Sequence, residues 1–202
     1  MSPPPPRPTS RVGRSVTAWV LGLLVVSLAA AGLAVGLGFA DWDRLQKARS
    51  SGILGTQPTI PTELSGLVAE AATRCPEVPS RVLAAQIAIE SGWQADAVSS
   101  AGALGIAQFM PNTWKQFGID GNGDGRRDVW DPADAIHSAA HLNCVNRDLV
   151  SEVPGSPLHN ILAAYNAGHG AVRKYNGIPP FPETEAYVEK VLDLASRMPI
   201  PS

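Results

Sequence analysis

From residue 62 onward the apolar residues recur three and four positions apart, and the chain reads as a string of short helices. Leu64, Leu67, Val68 and Ala71 share one face, Thr62 stands where an amino-terminal cap would, and Pro76 stops a helix predicted to end near Arg74. Ser80 caps a second helix that ends before Gly92, with Leu83, Ile87 and the carboxylate of Glu90 on one stripe that Val82 and Ile89 widen. Pro111 suits a first helical position and opens a short helix that turns Trp114 and Phe117 inward. Asp131-Pro132 opens a longer one, with Asp134 in its first turn and Ile136, Ala140 and Cys144 on one face. Ser156-Pro157 opens the next, carrying Leu158, Ile161, Leu162 and Tyr165, and Gly168 is placed to end it. The last helix runs from about Glu183 to Met198 and points Val188, Val191, Leu192 and Ala195 inward. With no alternating strand and no internal repeat, the predicted class is mainly α.

Ahead of this domain the pattern changes. Ser15 to Ala40 is a run of 26 residues without a charge, and roughly 20 apolar residues suffice to cross a bilayer as a helix. Arg7, Arg11 and Arg14 precede it, so the positive-inside rule leaves the amino terminus in the cytoplasm and the chain after Asp41 outside. The competing reading is a cleaved secretory signal peptide, because Gly38 and Ala40 are small residues placed as a cleavage site needs. The apolar run exceeds the ~7–15 residues of a usual signal core, which favours an uncleaved transmembrane anchor. Either way the folded part is expected outside the cytoplasm, held to the cell membrane by a single pass or secreted if the segment is removed. Residues 1–14, with the tract Pro3 to Pro6, read as an extended cytoplasmic tail. Residues 41–61 read as a linker and 62–202 as the one folded domain.

Composition adds to this division. The chain is 45% hydrophobic and 17% charged, which excludes a disordered polyelectrolyte, and a net charge of −2 gives no footing for nucleic-acid binding. That average conceals a basic amino-terminal part: residues 1–50 carry six Lys/Arg against two Asp/Glu, and the remainder ten against sixteen. Cys75 and Cys144 lie in the exported part, where an oxidising compartment lets an even count pair. A disulfide is expected there, worth roughly 4 kcal/mol in the chain-entropy account, with two buried free thiols as the alternative.

Glu90 is the most informative single residue. It sits in an apolar stripe at the carboxyl end of a helix, where both desolvation and the backbone dipole oppose its charge. Such a carboxyl stays protonated near neutrality, as a general acid must. The plain alternative is a glutamate whose head escapes to solvent at a frayed helix end. The glycine-punctuated segment Ala97 to Pro111, with Gln108 and Met110, forms a candidate wall beside that helix end. Tyr165 and Asn166 end another helix with a phenol and an amide, both able to bond sugar hydroxyls or a carboxyl.

Taken together these segments are specific. Glu90-Ser91-Gly92-Trp93, then Gly105-Ile106-Ala107-Gln108 with Met110-Pro111, then Ala164-Tyr165-Asn166-Ala167-Gly168, then Glu183-Thr184 with Tyr187-Val188 resemble, in order and spacing, the motifs of the soluble-lytic-transglycosylase family. That family belongs to the lysozyme-like superfamily, with goose-type lysozyme. The resemblance covers roughly Leu64 to Leu194, and departs from the pattern at Ala107, where the family more often has methionine. It implies a lysozyme-like helical domain that cleaves the β-1,4 bond between N-acetylmuramic acid and N-acetylglucosamine in peptidoglycan. Glu90 matches the single catalytic acid, which protonates the glycosidic oxygen and then, as carboxylate, draws the proton from the muramyl 6-hydroxyl as a 1,6-anhydro ring closes. Tyr165 matches the residue placed to hydrogen-bond near the acid. Gln108, Met110, Asn166, Glu183 and Tyr187 match positions lining the sugar cleft, and Glu183 and Tyr187 fit structural roles equally well.

A second site is readable without the family. Asp120-Gly121-Asn122-Gly123-Asp124-Gly125 is the start of an EF-hand loop, with oxygens at positions one, three and five, glycine at six, and the Arg126 carbonyl at seven. Calcium is the natural guest, in a structural role, while solvated charges on a glycine-rich turn are the alternative. Position twelve is Asp131, whose short arm is a poor bidentate ligand. A lengthened loop found in a membrane-bound branch of the lytic transglycosylases resembles this one and implies Asp134 as the closing ligand, with Asp131 as helix cap. His137 and His141 stand four apart as zinc-binding histidines do, but the intervening Glu of that motif and a third ligand are missing. His169 reads as a surface residue, and Trp93, Trp114 and Trp130 as core aromatics ahead of sugar platforms.

Two other functions compete with a membrane-anchored lytic transglycosylase. A hydrolytic muramidase needs a second carboxylate to hold water, for which Asp96 is the nearest in sequence. A non-catalytic, calcium-stabilised peptidoglycan-binding module needs no acid at all. No organic cofactor is expected, and the domain is expected to work as a monomer on glycan strands.

Overall fold

The computed structural model describes residues 59–199, and the expected tail, membrane segment and most of the linker lie outside the described residues. Among those residues no helix is long and apolar enough to cross a membrane. Seven helices follow in order: α1 (Thr62–Ala72), α2 (Ser80–Ser91), α3 (Pro111–Phe117), α4 (Pro132–Leu149), α5 (Pro157–Ala167), α6 (His169–Tyr175) and α7 (Pro182–Arg197). Six of them are the helices predicted from apolar spacing. The unpredicted one is α6. Gly168, at φ +83°, closes α5 and is at the same time the residue before α6, so a glycine that reads as a terminus is a corner between two helices.

Two expected caps are corrected. Thr62 and Ser80 lie inside their helices, and the cap positions belong to Pro61 and Pro79, which have no side-chain cap bond. Proline fixes φ and keeps the chain extended up to the helix, so its carbonyl is already aimed along the axis. Pro61 O accepts from Leu64 N at 2.9 Å, and Pro79 O from Val82 N at 2.8 Å. Ser156 and Asp131 do cap α5 and α4 with their side chains.

The core gathers one stripe from each long helix. Val68, Leu83, Ile87, Ile136, Ile161, Leu162 and Val191 are fully buried, each worth about 1.5–3 kcal/mol relative to exposure. α5 is central, touching α4, α6 and α7; α2 runs against α7, and α1 lies across α2 and α4. Between α2 and α3 the chain forms no helix. Two isolated antiparallel bridges, Val98 with Leu104 and Leu104 with Phe109, fold residues 97–110 into a compact wall. Gly105 is essential to that wall: at φ +74° a Cβ there would sit 2.1 Å from the Val129 carbonyl oxygen, so the loop meets the segment ahead of α4 backbone to backbone.

Candidate active site

Glu90 lies in the last turn of α2, which Gly92 closes in the left-handed region at φ +61°. Trp93 follows at φ +71°, a conformation bulky side chains rarely adopt, so two successive left-handed residues end the helix. Burial pushes the Glu90 carboxyl up to about 7, a hydrogen bond from Tyr187 opposes this, and the negative charge of Glu183 adds to it. Tyr187 Oη donates to Glu90 Oε1 at 2.6 Å. Glu90 Oε2 takes no hydrogen bond among the described residues, so one carboxyl oxygen is held and the other is free to act.

The residue chemically closest to the acid is therefore Tyr187, from α7. Tyr165, to which the resemblance gave the place near the acid, instead donates its hydroxyl to the Ala107 carbonyl at 2.8 Å and packs edge-on against Phe109 at 6.2 Å. Burial, then the charge of Glu90, raises its phenol well above the usual range, so Tyr165 borders the acid without bonding it. Tyr187 is raised for the same two reasons, in the same order.

The other expected cleft residues are placed as follows. Gln108 stands at φ +51° and turns its amide back on the wall, donating to the carbonyls of Gly105 at 2.9 Å and Ala97 at 3.3 Å. Met110 is 42% exposed just ahead of α3. Asn166 Oδ1 accepts from Thr184 Oγ1 at 2.8 Å, tying the end of α5 to the start of α7. Glu183 is exposed in the first turn of α7. Asp96 is exposed, and its charge does not figure among those acting on Glu90.

The sequence reading missed Gln86 and Asn143. Gln86, one turn before Glu90, is fully buried and donates from Nε2 to Tyr187 Oη at 3.3 Å. Asn143 of α4, also fully buried, donates from Nδ2 to Gln86 Oε1 at 2.7 Å. The available signal was an amide on the same face as Glu90 within an otherwise apolar run.

In the acidic loop Asp120 Oδ1 accepts from Gly123 N and Asp124 N, and its Oδ2 from Gly125 N. Asn122 Oδ1 accepts from Asp124 N, and Asp124 Oδ1 from Arg126 N. Asp131 caps α4, receiving Ala133 N and Asp134 N. Asp134 is 1% exposed and reaches back into the loop, where Oδ1 accepts from Gly121 N at 2.7 Å and Oδ2 from Asp128 N at 2.8 Å. Among the described residues the one place where three His, Cys, Asp or Glu ligand atoms lie within 4.8 Å of one another is Cys75, Glu77 and Cys144, not this loop. The donor set still suits a hard cation in kind, being all oxygen, but its carboxylates are turned onto backbone N–H groups.

The expected disulfide is corrected: Cys75 and Cys144 are free thiols. They lie side by side, yet each proton has an oxygen acceptor, the Arg74 carbonyl at 2.9 Å for Cys144 and Glu77 Oε2 at 3.8 Å for Cys75. Burial pushes the Cys75 thiol well up. Of the histidine pair, His137 Nδ1 accepts from Arg74 Nε at 2.8 Å.

The family described as Transglycosylase SLT domain matches residues 68–188. The chain belongs to this family. Membrane-bound lytic murein transglycosylase B of Escherichia coli (strain K12) is 54% identical over 43 residues, 21% of this chain and 12% of that protein. Membrane-bound lytic murein transglycosylase D of the same strain is 34% identical over 122 residues, 53% of this chain and 25% of that protein. The 70 kDa soluble lytic transglycosylase of Escherichia coli has a similar fold, with TM-score 0.53 and 28% identity over 68% of this chain and 24% of that one. This chain thus spans a quarter or less of the length of these relatives. The chain has the mainly helical SLT fold, shared with the 70 kDa enzyme, and the matched span contains Glu90, the wall, the end of α5 and Tyr187.

Proposed function

We propose that this SLT domain is a peptidoglycan lytic transglycosylase that cleaves the β-1,4 bond between N-acetylmuramic acid and N-acetylglucosamine and leaves a 1,6-anhydro end. The observation that carries this is a desolvated carboxyl, pushed up to about 7, with one oxygen held by a phenol and no second carboxylate bonded beside it. Protonated Glu90 gives its proton to the glycosidic oxygen. The resulting carboxylate takes the proton of the muramyl 6-hydroxyl as that oxygen closes on the anomeric carbon. Such general acid–base help is worth roughly 10²–10⁴-fold. Paired-carboxylate glycosidases need a second group to attack or to hold water, and here the substrate supplies the nucleophile. Because Glu90 must start protonated, activity is expected to fall as pH rises through about 7.

Mass spectrometry of digested peptidoglycan tests the reaction. Anhydro-muramyl ends are expected, and reducing ends alone would establish a hydrolase instead. An unaltered wall-degrading activity in Glu90→Gln would remove Glu90 as the acid.

Calcium is part of the same proposal. Asp120, Asn122, Asp124 and the Arg126 carbonyl would hold it, with Asp134 closing the site, since Asp131 is engaged as the α4 cap. The ion would fix the loop and take no part in the chemistry. Segment 15–40 is proposed as the address that carries the domain out of the cytoplasm to glycan strands, on the grounds of its 26 uncharged residues and the arginines before them.

A further inference from the structure

We propose that Gln86 and Asn143 are positioning residues for the acid, forming a buried amide relay from α4 through α2 that aims the Tyr187 hydroxyl proton at Glu90. A phenol carries one proton and can accept from others. Gln86 Nε2 occupies an acceptor position on Tyr187 Oη at 3.3 Å, so the single proton is left for Glu90 Oε1 at 2.6 Å. Which end of the Gln86 amide faces the phenol is decided one step further away, because Asn143 Nδ2 donates to Gln86 Oε1 at 2.7 Å. If the amide were reversed, Tyr187 would give its proton to Gln86, and Glu90 would lose its donor.

Nothing about packing requires this arrangement. Gln86 and Asn143 are both fully buried, where apolar residues would fill the space without a polar cost. The relay is also costly at its far end: Asn143 Oδ1 is buried with no partner among the described residues. A donor that itself accepts a hydrogen bond is polarised and becomes the stronger donor, so the relay favours the ionised form of Glu90. It opposes the burial and the Glu183 charge that favour the neutral form. The groups that reach Glu90 are Tyr187 and Glu183 from α7 and Tyr165 from α5, and no charged group of α1 or α4 acts on it. The relay thereby holds the carboxyl close to the midpoint between acid and base.

The inference rests on Glu90 as the acid, so its test reads the carboxyl directly, without turnover. The full chain is labelled with carboxyl-¹³C glutamate, the Glu90 signal is assigned by its loss in Glu90→Gln, and its titration is followed by NMR. Tyr187→Phe is expected to raise the midpoint by about one pH unit, and Gln86→Met by roughly a few tenths in the same direction. In the Tyr187→Phe background Gln86→Met is expected to add nothing, because its effect passes through the hydroxyl. An unchanged midpoint in folded Gln86→Met, or an undiminished shift in the Phe background, overturns the relay. Should Gln86→Met fail to fold, Asn143→Ala reads the same path: an upward shift supports it and an unchanged midpoint overturns it. If the midpoints shift as expected but no variant, nor the unaltered chain, cleaves peptidoglycan, the functional reading fails while the relay stands.

Discussion

At Glu90, function and stability pull in opposite directions. Its folded midpoint lies near 7 against an ordinary value of 4.5, so the folded state holds the proton more tightly than the unfolded chain does. Stability is therefore greatest below 4.5, declines as pH rises to about 7, and is lowest above it. The penalty at pH 8 is at most about 3 kcal/mol. Glu90→Gln keeps the shape and removes the charge. It is expected to lose roughly 10²–10⁴-fold in activity and to melt higher than the unaltered chain at pH 8, with the gap closing by pH 4.5. Thermal melts across that range check this, and an equal melting temperature at pH 8 would show that the carboxylate is relieved by solvent.

At the scale of elements, the acidic loop and α4 depend on two aspartates with different duties. Asp131→Ala removes an ordinary cap and is expected to cost about 1 kcal/mol. Asp134→Ala strands the N–H groups of Gly121 and Asp128 and is expected to cost about 3 kcal/mol, read by chemical denaturation. Millimolar calcium is expected to raise the melting temperature of the unaltered chain and not of Asp124→Ala; no rise in the unaltered chain would remove the metal. Apolar spacing made α1, α2, α4, α5 and α7 legible, because each buries one stripe, while α3 was legible from its opening proline and from Trp114 and Phe117, which are only half-buried against the core. It hid α6, a seven-residue helix with Val172 as its one buried residue, behind glycines at 168 and 170. A carboxyl held protonated toward neutrality was legible in Glu90 itself. Its partner was not, since the bond to Tyr187 joins positions 97 apart and depends on how α2 meets α7. Gln86 and Asn143 escaped for a related reason: spacing marks which face is buried, and a buried amide declares its use only through what it touches. The cysteines were legible as neighbours and misread as a bond, since proximity on α4 and the turn after α1 does not itself oxidise two thiols.

For the whole molecule, the proposed function requires the domain to reach the cell wall, and the proposed address is 15–40. Fractionation of cells expressing the full chain is expected to place it with membranes and to leave the domain open to protease added from outside; a cytoplasmic, protected protein would remove the address. The Tyr187–Glu90 bond has a further consequence for such a protein. Its two partners sit on α2 and on α7, so a chain emerging amino terminus first has already made its carboxyl long before it makes the hydroxyl that steadies it. The Glu90 carboxyl is expected to be without its partner until α7 docks against α2, so its working environment is assembled late in folding.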